Sequence, residues 1–335
     1  MTAHTATRRM THREVEKVRH ARGRSMLLFI TDRCPVGCRH CSVDSRPDSP
    51  TISDFQLFGE IVDWICARPE IGVVGISGGE PFVERQGLTL ASRQFANAGK
   101  RQVVFTSGVW ATGATTPLWI GEVLARCSCV YLSTDAFHAE TVMDDRFLRA
   151  VHAIVAAGTW LVVQVLNDER TVERTGRLLR DALGDRWTDY AELNAIVPLT
   201  NGRGAGVFTR AVQVPGHAFG PCSLVASPMV RYDGLVTGCC NESVIMNLGP
   251  SRLRKCAGSI AELEAAVEDF HADPLLRVIG GAGLGMLTEH PRFADLAEER
   301  FTSNCELCWK MLYRLPQEAG TDRLITAISA LKVGG

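Results

Sequence analysis

No stretch of this sequence approaches the ~20 consecutive apolar residues that a membrane span needs, and no internal repeat or low-complexity tract interrupts it. An excess of one charge sign is missing too. The formal net charge is −1, which removes the electrostatic case for a nucleic-acid partner. An export signal is absent: Arg8-Arg9 opens a basic stretch, but no apolar segment follows it at the expected distance. The expectation is therefore a cytoplasmic chain without a membrane partner, with residues 1–24 a basic tail, either frayed or a solvated helix. "GGAGLG" (Gly280–Gly285) lacks the Lys-Ser/Thr ending of a phosphate loop and follows no clear strand, so it reads as a flexible connection.

What is abundant is cysteine, with 12 in 335 residues. In a secreted chain these would pair as disulfides. Without an export signal, clustered cysteines in a chain of this length favour metal binding. Length and a hydrophobic content of 46% allow one large domain and a smaller one.

Apolar runs alternate with helical patterns. Ser25–Asp32, Ile71–Ser77, "QVVFTSG" (102–108), Cys129–Asp135, Trp160–Asp168 and "YAELNAIVPL" (190–199) read as strands. Helices are expected near Ser53–Ala67, in the stretch up to Ala98, and over Ala139–Ala157. The runs are continuous in Val, Ile and Leu, which implies strands buried on both faces. Strand-then-helix units of this kind predict an α/β fold, a partial (β/α)6 TIM-type barrel over residues 25–210. After Leu199 the rhythm stops, and residues 211–335 read as a small C-terminal cysteine-bearing module. Chemistry in such barrels sits in loops that follow strands. Cys34, Cys38 and Cys41 follow the first strand and "GGEP" (Gly78–Pro81) the second. A disulfide uses two thiols and a structural zinc site usually four, so three suggest a metal site with one position open. A four-iron cluster wants four ligands, and three thiolates leave one iron free to bind something else.

Cys34-x3-Cys38-x2-Cys41 resembles the signature of the radical S-adenosylmethionine (SAM) superfamily. The resemblance implies a [4Fe-4S] cluster whose open iron chelates SAM and reductively splits it, giving a 5′-deoxyadenosyl radical that abstracts hydrogen. It implies that Gly78 and Gly79 approach the amino group of SAM and that Glu80 accepts from that ammonium. His40 stands where the family often has an aromatic residue near the adenine. Thr106, Ser133 and Asp135, at the ends of the third and fourth strands, are further candidates for SAM contacts. On the fifth strand, alternation turns only one of Gln164 and Asn167 inward.

A second cysteine set follows: Cys222, then Gly234 in a turn-forming "YDG", then Cys239-Cys240, and finally Cys305-x2-Cys308. A hairpin at Gly234 would bring Cys222 and Cys239 together, and with Cys305 and Cys308 they could hold zinc or a fully ligated cluster. The spacing resembles the auxiliary module called SPASM, or its shortened form, twitch. That implies one auxiliary [4Fe-4S] cluster, with Cys240 as the alternative to Cys239. Cys66, Cys127 and Cys129 read as core, and Cys256 as a possible hydrogen-atom donor. No spacing selects a base among Glu80, His217 and His271.

The chain shows no separate N-terminal peptide-recognition domain and too few cysteines for a second auxiliary cluster. Both points lean toward a small-molecule substrate. The expected reaction is dehydrogenation of a carbohydrate-type alcohol (aminoglycoside, cyclitol or nucleoside sugar), with the auxiliary cluster as electron acceptor. Epimerisation with a Cys hydrogen donor, sugar-acid decarboxylation and epimerisation of a peptide are the alternatives. The resemblance implies a flavodoxin- or ferredoxin-type electron donor.

Overall fold

The computed structural model describes residues 9–209, 212–315 and 322–330. Strands β1 (Ser25–Phe29), β2 (Val73–Ser77), β3 (Arg101–Thr106), β4 (Cys129–Ser133), β5 (Trp160–Leu166) and β6 (Ala191–Ile196) lie parallel in chain order. Their Val, Ile and Leu side chains are buried on both faces along β2 to β5, as continuous apolar runs require. The crossover helices supply the outer layer: α2 (Phe55–Cys66), α3 (Arg85–Asn97), α4 (Leu118–Arg126), the pair α5 (Ala136–Ala139) and α6 (Asp144–Ala156), and α7 (Glu169–Leu183). Asp54 caps α2 by accepting from the Leu57 amide, and Asp168 caps α7 by accepting from Thr171. The helix expected over 139–157 is broken between α5 and α6, where Met143 takes an extended conformation ahead of Asp144.

The C-terminal cysteine region is built onto the same sheet. β8 (Met229–Arg231) pairs parallel with β1, β9 (Leu235–Thr237) returns antiparallel to β8, and β10 (Arg254–Cys256) is the edge strand. The sheet has nine strands in the order β10-β9-β8-β1-β2-β3-β4-β5-β6 and stays open between its two edges. Gly234 makes the β8–β9 turn at φ +83°, and a Cβ there would meet the Ala257 carbonyl oxygen at 2.1 Å. A separate pair, β7 (Val214–Pro215) and β11 (Arg300–Phe301), joins the two ends of the C-terminal region. Around it pack α8 (Glu242–Ile245), α9 (Ile260–Ala272), α10 (Pro274–Gly281), α11 (Leu284–Leu287), α12 (Asn304–Tyr313) and α13 (Arg323–Ala330). "GGAGLG" is not a loose connection: it ends α10 and starts α11, with Leu284 fully buried.

From residue 9 on, the N-terminal segment also departs from the expected tail or solvated helix; residues 1–8 of that expectation lie outside the described residues. α1 (His12–His20) opens with a Thr11/Glu14 capping box and buries Val15, while Met10 beside it is fully buried. Met10 N–H donates to the Ser128 carbonyl at 3.0 Å, and the His12 ring lies 2.8 Å from the Tyr131 hydroxyl. Those partners sit at the starts of strands or inside the barrel, so α1 closes the bottom of the lumen. Its basic residues had masked one short apolar face. No helix of the described residues is long and apolar enough to cross a membrane.

Candidate functional site

β1 ends at Phe29, and the chain then bends over the glycine turn after β2. Gly79 N–H donates to the Thr31 carbonyl at 2.7 Å, and Glu80 N–H donates to Arg33 at 2.9 Å. A Cβ on Gly79 would stand 2.4 Å from the Arg33 carbonyl oxygen, so side chains are excluded where the two loops cross. Gly79→Ala is expected to cost about 1–3 kcal/mol by overpacking and to displace the cysteine loop; a thermal melt checks it.

Cys34, Cys38 and Cys41 line one cavity of about 250 Å³ at the C-terminal ends of the strands, together with His40, Gly78, Gly79, Thr106, Ser133, Asp135 and His138. Burial, with Glu80 nearby, pushes the Cys34 thiol up to about 12. A thiol this reluctant to ionise is the kind that a metal must deprotonate on binding.

Two sequence expectations need correction here. Glu80 does not present a free carboxylate to the cavity. It is fully buried and accepts from the Thr106 hydroxyl at 2.8 Å, the Ser107 amide at 2.8 Å and the Phe82 amide at 3.2 Å. Its role is to bolt the turn to the end of β3, with Thr106 spent on the same task. What faces the cavity is the Gly78–Gly79 backbone. Cys256 is exposed on edge strand β10 and lines none of the cavities, so the hydrogen-donor expectation does not hold for it.

Asp135 caps α5, accepting from the Phe137 and His138 amides at 2.8 and 3.0 Å. Its other oxygen lies 2.8 Å from His138 Nδ1 and 3.2 Å from His40 Nε2. Burial alone would raise the Asp135 carboxyl, but these two rings hold it far below the usual range. His138 moves the other way, to about 10, because its contacts with Asp135 and Cys38 outweigh burial. His40 lies against Phe137, with ring centroids 4.6 Å apart.

Sequence reasoning missed Arg203. Its backbone N–H donates to the Cys41 carbonyl at 2.9 Å, its Nε to Cys38 at 2.9 Å and its Nη2 to Ser45 at 3.0 Å. One guanidinium thus ties down the carbonyls of the cysteine loop. Arg203→Lys cannot reproduce that fork. Loss of such an outer-shell partner is expected to weaken metal retention on the order of 10–100-fold, read as faster iron release to a chelator.

Cys222, Cys239, Cys305 and Cys308 line a second cavity with Leu224, Leu253 and Trp309, and Asn241 donates to Cys305 Sγ at 3.3 Å. Burial raises all four thiols, Cys305 to about 12. Among the described residues, His40, Asp135 and His138 are the only set of three ligand atoms within 4.8 Å of one another. Neither thiol set closes that tightly. Zinc at about 2.3 Å from each sulfur would hold thiols roughly 3.8 Å apart, closer than three sulfurs of either set come.

Cys240 points elsewhere. With Glu242, Arg19, Tyr131 and Gln164 it lines a lumen of about 480 Å³ inside the barrel, and Glu242 and Gln164 line the mouth cavity as well. Gln164 faces in, and Asn167 is exposed. Of the candidate bases, Glu80 is locked, His217 bonds the Ala297 carbonyl at the surface, and His271 lines neither cavity.

The class these features define is an open, mostly parallel α/β barrel with thiols at its mouth, a fold shared with solved proteins. One is Streptococcus suis SuiB, solved bound to S-adenosylmethionine (TM-score 0.51, 11% identity, 77% of this chain and 67% of that one). SuiB was also solved bound to precursor peptide SuiA (TM-score 0.52, 10% identity, 84% and 76%). In sequence the chain is similar to PqqA peptide cyclases. The Streptomyces rochei protein is 28% identical over 58% of this chain and 52% of its own length. The Methylocella silvestris protein is 25% identical over 71% and 63%. The chain thus spans about half the length of the first of these relatives. No family model matches it.

Proposed function

We propose that the chain is a radical SAM enzyme that abstracts hydrogen from a peptide. The observation that carries this reading is the placement of three thiols, a glycine turn stapled to them and a lumen directly beneath, all at one end of the sheet. Cys34, Cys38 and Cys41 would hold the four-iron cluster. The Gly78–Gly79 backbone, Ser133 and the His40 ring would face SAM. Cys222, Cys239, Cys305 and Cys308 would hold an auxiliary cluster. Bound together, the first cluster and SAM supply reductive C–S cleavage and a hydrogen-abstracting group. The chain's own residues organise the space: Asp135 holds the His40 ring, His138 lies against Cys38, and α1 lines the lumen from below.

The peptide substrate is supported by the relatives' names, which the carbohydrate reading lacks. The carbohydrate reading keeps one observation, a lumen whose 480 Å³ falls in the range of small-molecule sites. The test is anaerobic, reconstituted protein with SAM and a reductant, either dithionite or a flavodoxin- or ferredoxin-type protein. It should release 5′-deoxyadenosine and methionine, and complete failure to do so defeats the reading. Turnover of a peptide panel against an aminocyclitol panel then separates the two substrates.

A further inference from the structure

The titratable side chains that line the lumen are His12, Glu16, Arg19, Tyr131, Cys240 and Glu242. Most are matched. Arg19 pairs with Glu16 at 2.7 Å and also reaches Cys240 Sγ at 3.8 Å. His12 and Tyr131 bond each other. Glu242 is different. Among the described residues its carboxylate accepts from its own backbone amide and, at 3.4 Å, from Asn201 Nδ2, and no cation is recorded at ion-pair distance. Other groups act on it only from farther off: the Arg19 guanidinium and the Cys240 and Cys305 thiols. The residue lies deep among protein atoms yet keeps accessible area, because that area faces the cavity.

We infer that Glu242 recognises a positively charged group of the substrate, an ammonium or a guanidinium that enters the lumen and pairs with the carboxylate. The inference rests on the reading that the lumen holds the substrate. The counting is simple: Arg19 and Glu16 neutralise each other, the His12 ring is taken up by the Tyr131 hydroxyl, the thiol and phenol are uncharged, and the Glu242 carboxyl is left facing the cavity without a cation. A carboxylate in a poorly hydrated interior is stable only when paired, so the occupant that best relieves this site is a cation. Glu242 also lines the mouth cavity, so a group held by it would lie where lumen and mouth meet, toward the thiol loop. The same chemistry could come from a lysine side chain or from a free amine on a small ring.

Equilibrium binding to the reconstituted, SAM-bound protein tests this with two probes, a hexapeptide with a central lysine and 2-deoxystreptamine, each beside its N-acetylated form. The wild type is expected to bind one amine at least about tenfold more tightly than its acetylated counterpart, the scale set by a buried charge pair. Glu242→Gln should erase that preference, and Glu242→Asp, which keeps the charge, should retain part of it. The preferred probe identifies the source of the cation. The inference is overturned if the wild type shows no preference for either amine, or if the preference survives in Glu242→Gln. It is also overturned if Glu242→Gln weakens SAM binding as much as amine binding, since the carboxylate would then serve SAM's own ammonium. A protein that shows the Glu242-dependent preference but never cleaves SAM keeps the cation site and loses the radical reading; the opposite result does the reverse.

Discussion

The variant C34A/C38A/C41A, reconstituted anaerobically, is expected to bind roughly four irons where the wild type binds roughly eight, and to form no 5′-deoxyadenosine. The three thiols share one cavity that the second set does not enter, so their removal should leave the second site loaded. Iron and sulfide analysis together with the cleavage assay check both halves. About four irons and one zinc in the wild type would instead make the second set a zinc site.

Arg231→Met should destabilise the fold by about 3–5 kcal/mol, the usual cost of leaving a buried charge without its partner. Arg231 is 7% exposed on β8, and its Nη2 lies 3.1 Å from Asp32, itself 5% exposed at the root of the cysteine loop. Tyr232 donates to the same Asp32 oxygen at 2.9 Å, and Arg231 Nη1 also donates to the Ile245 carbonyl at 3.2 Å. Removing the guanidinium strands a carboxylate whose other oxygen already lacks a hydrogen-bond partner. The denaturant midpoint reads the loss. The double variant Arg231→Met with Asp32→Asn should recover much of it, because no buried charge is then left unmatched: the guanidinium's other partner, Asp233 at 2.8 Å, is 43% exposed and water can take it up.

The strands were legible because a parallel sheet covered on both faces needs continuous apolar runs, and β1 to β5 have them. Their ends were not. Asp32 looked like strand, yet β1 stops at Phe29 because the chain must turn to cross the glycines at 78 and 79. α7 escaped notice because it is polar around most of its circumference and buries only Thr175 and Leu179. The cysteine loops could be read from spacing, since local chain geometry sets their reach. Cys239 and Cys240 could not be separated so easily. They follow β9 as neighbours that point opposite ways, one toward the second cavity and one toward the lumen. Arg203 and Glu242 left no signal at all, because each is a single polar residue whose partners come from distant parts of the chain. The lean toward a carbohydrate substrate rested on what the sequence did not contain, and the similarity to peptide cyclases outweighs it.

β1 has hydrogen-bonded neighbours on both sides, β2 on one and β8 on the other. The C-terminal hairpin is therefore no detachable accessory. Cutting the chain near residue 210 would strip the partners from Leu27–Phe29 and leave a raw, apolar margin open to other chains. Dissecting this protein into a catalytic half and an accessory half should yield aggregates, and its two thiol centres have to be studied, inherited and engineered as one piece.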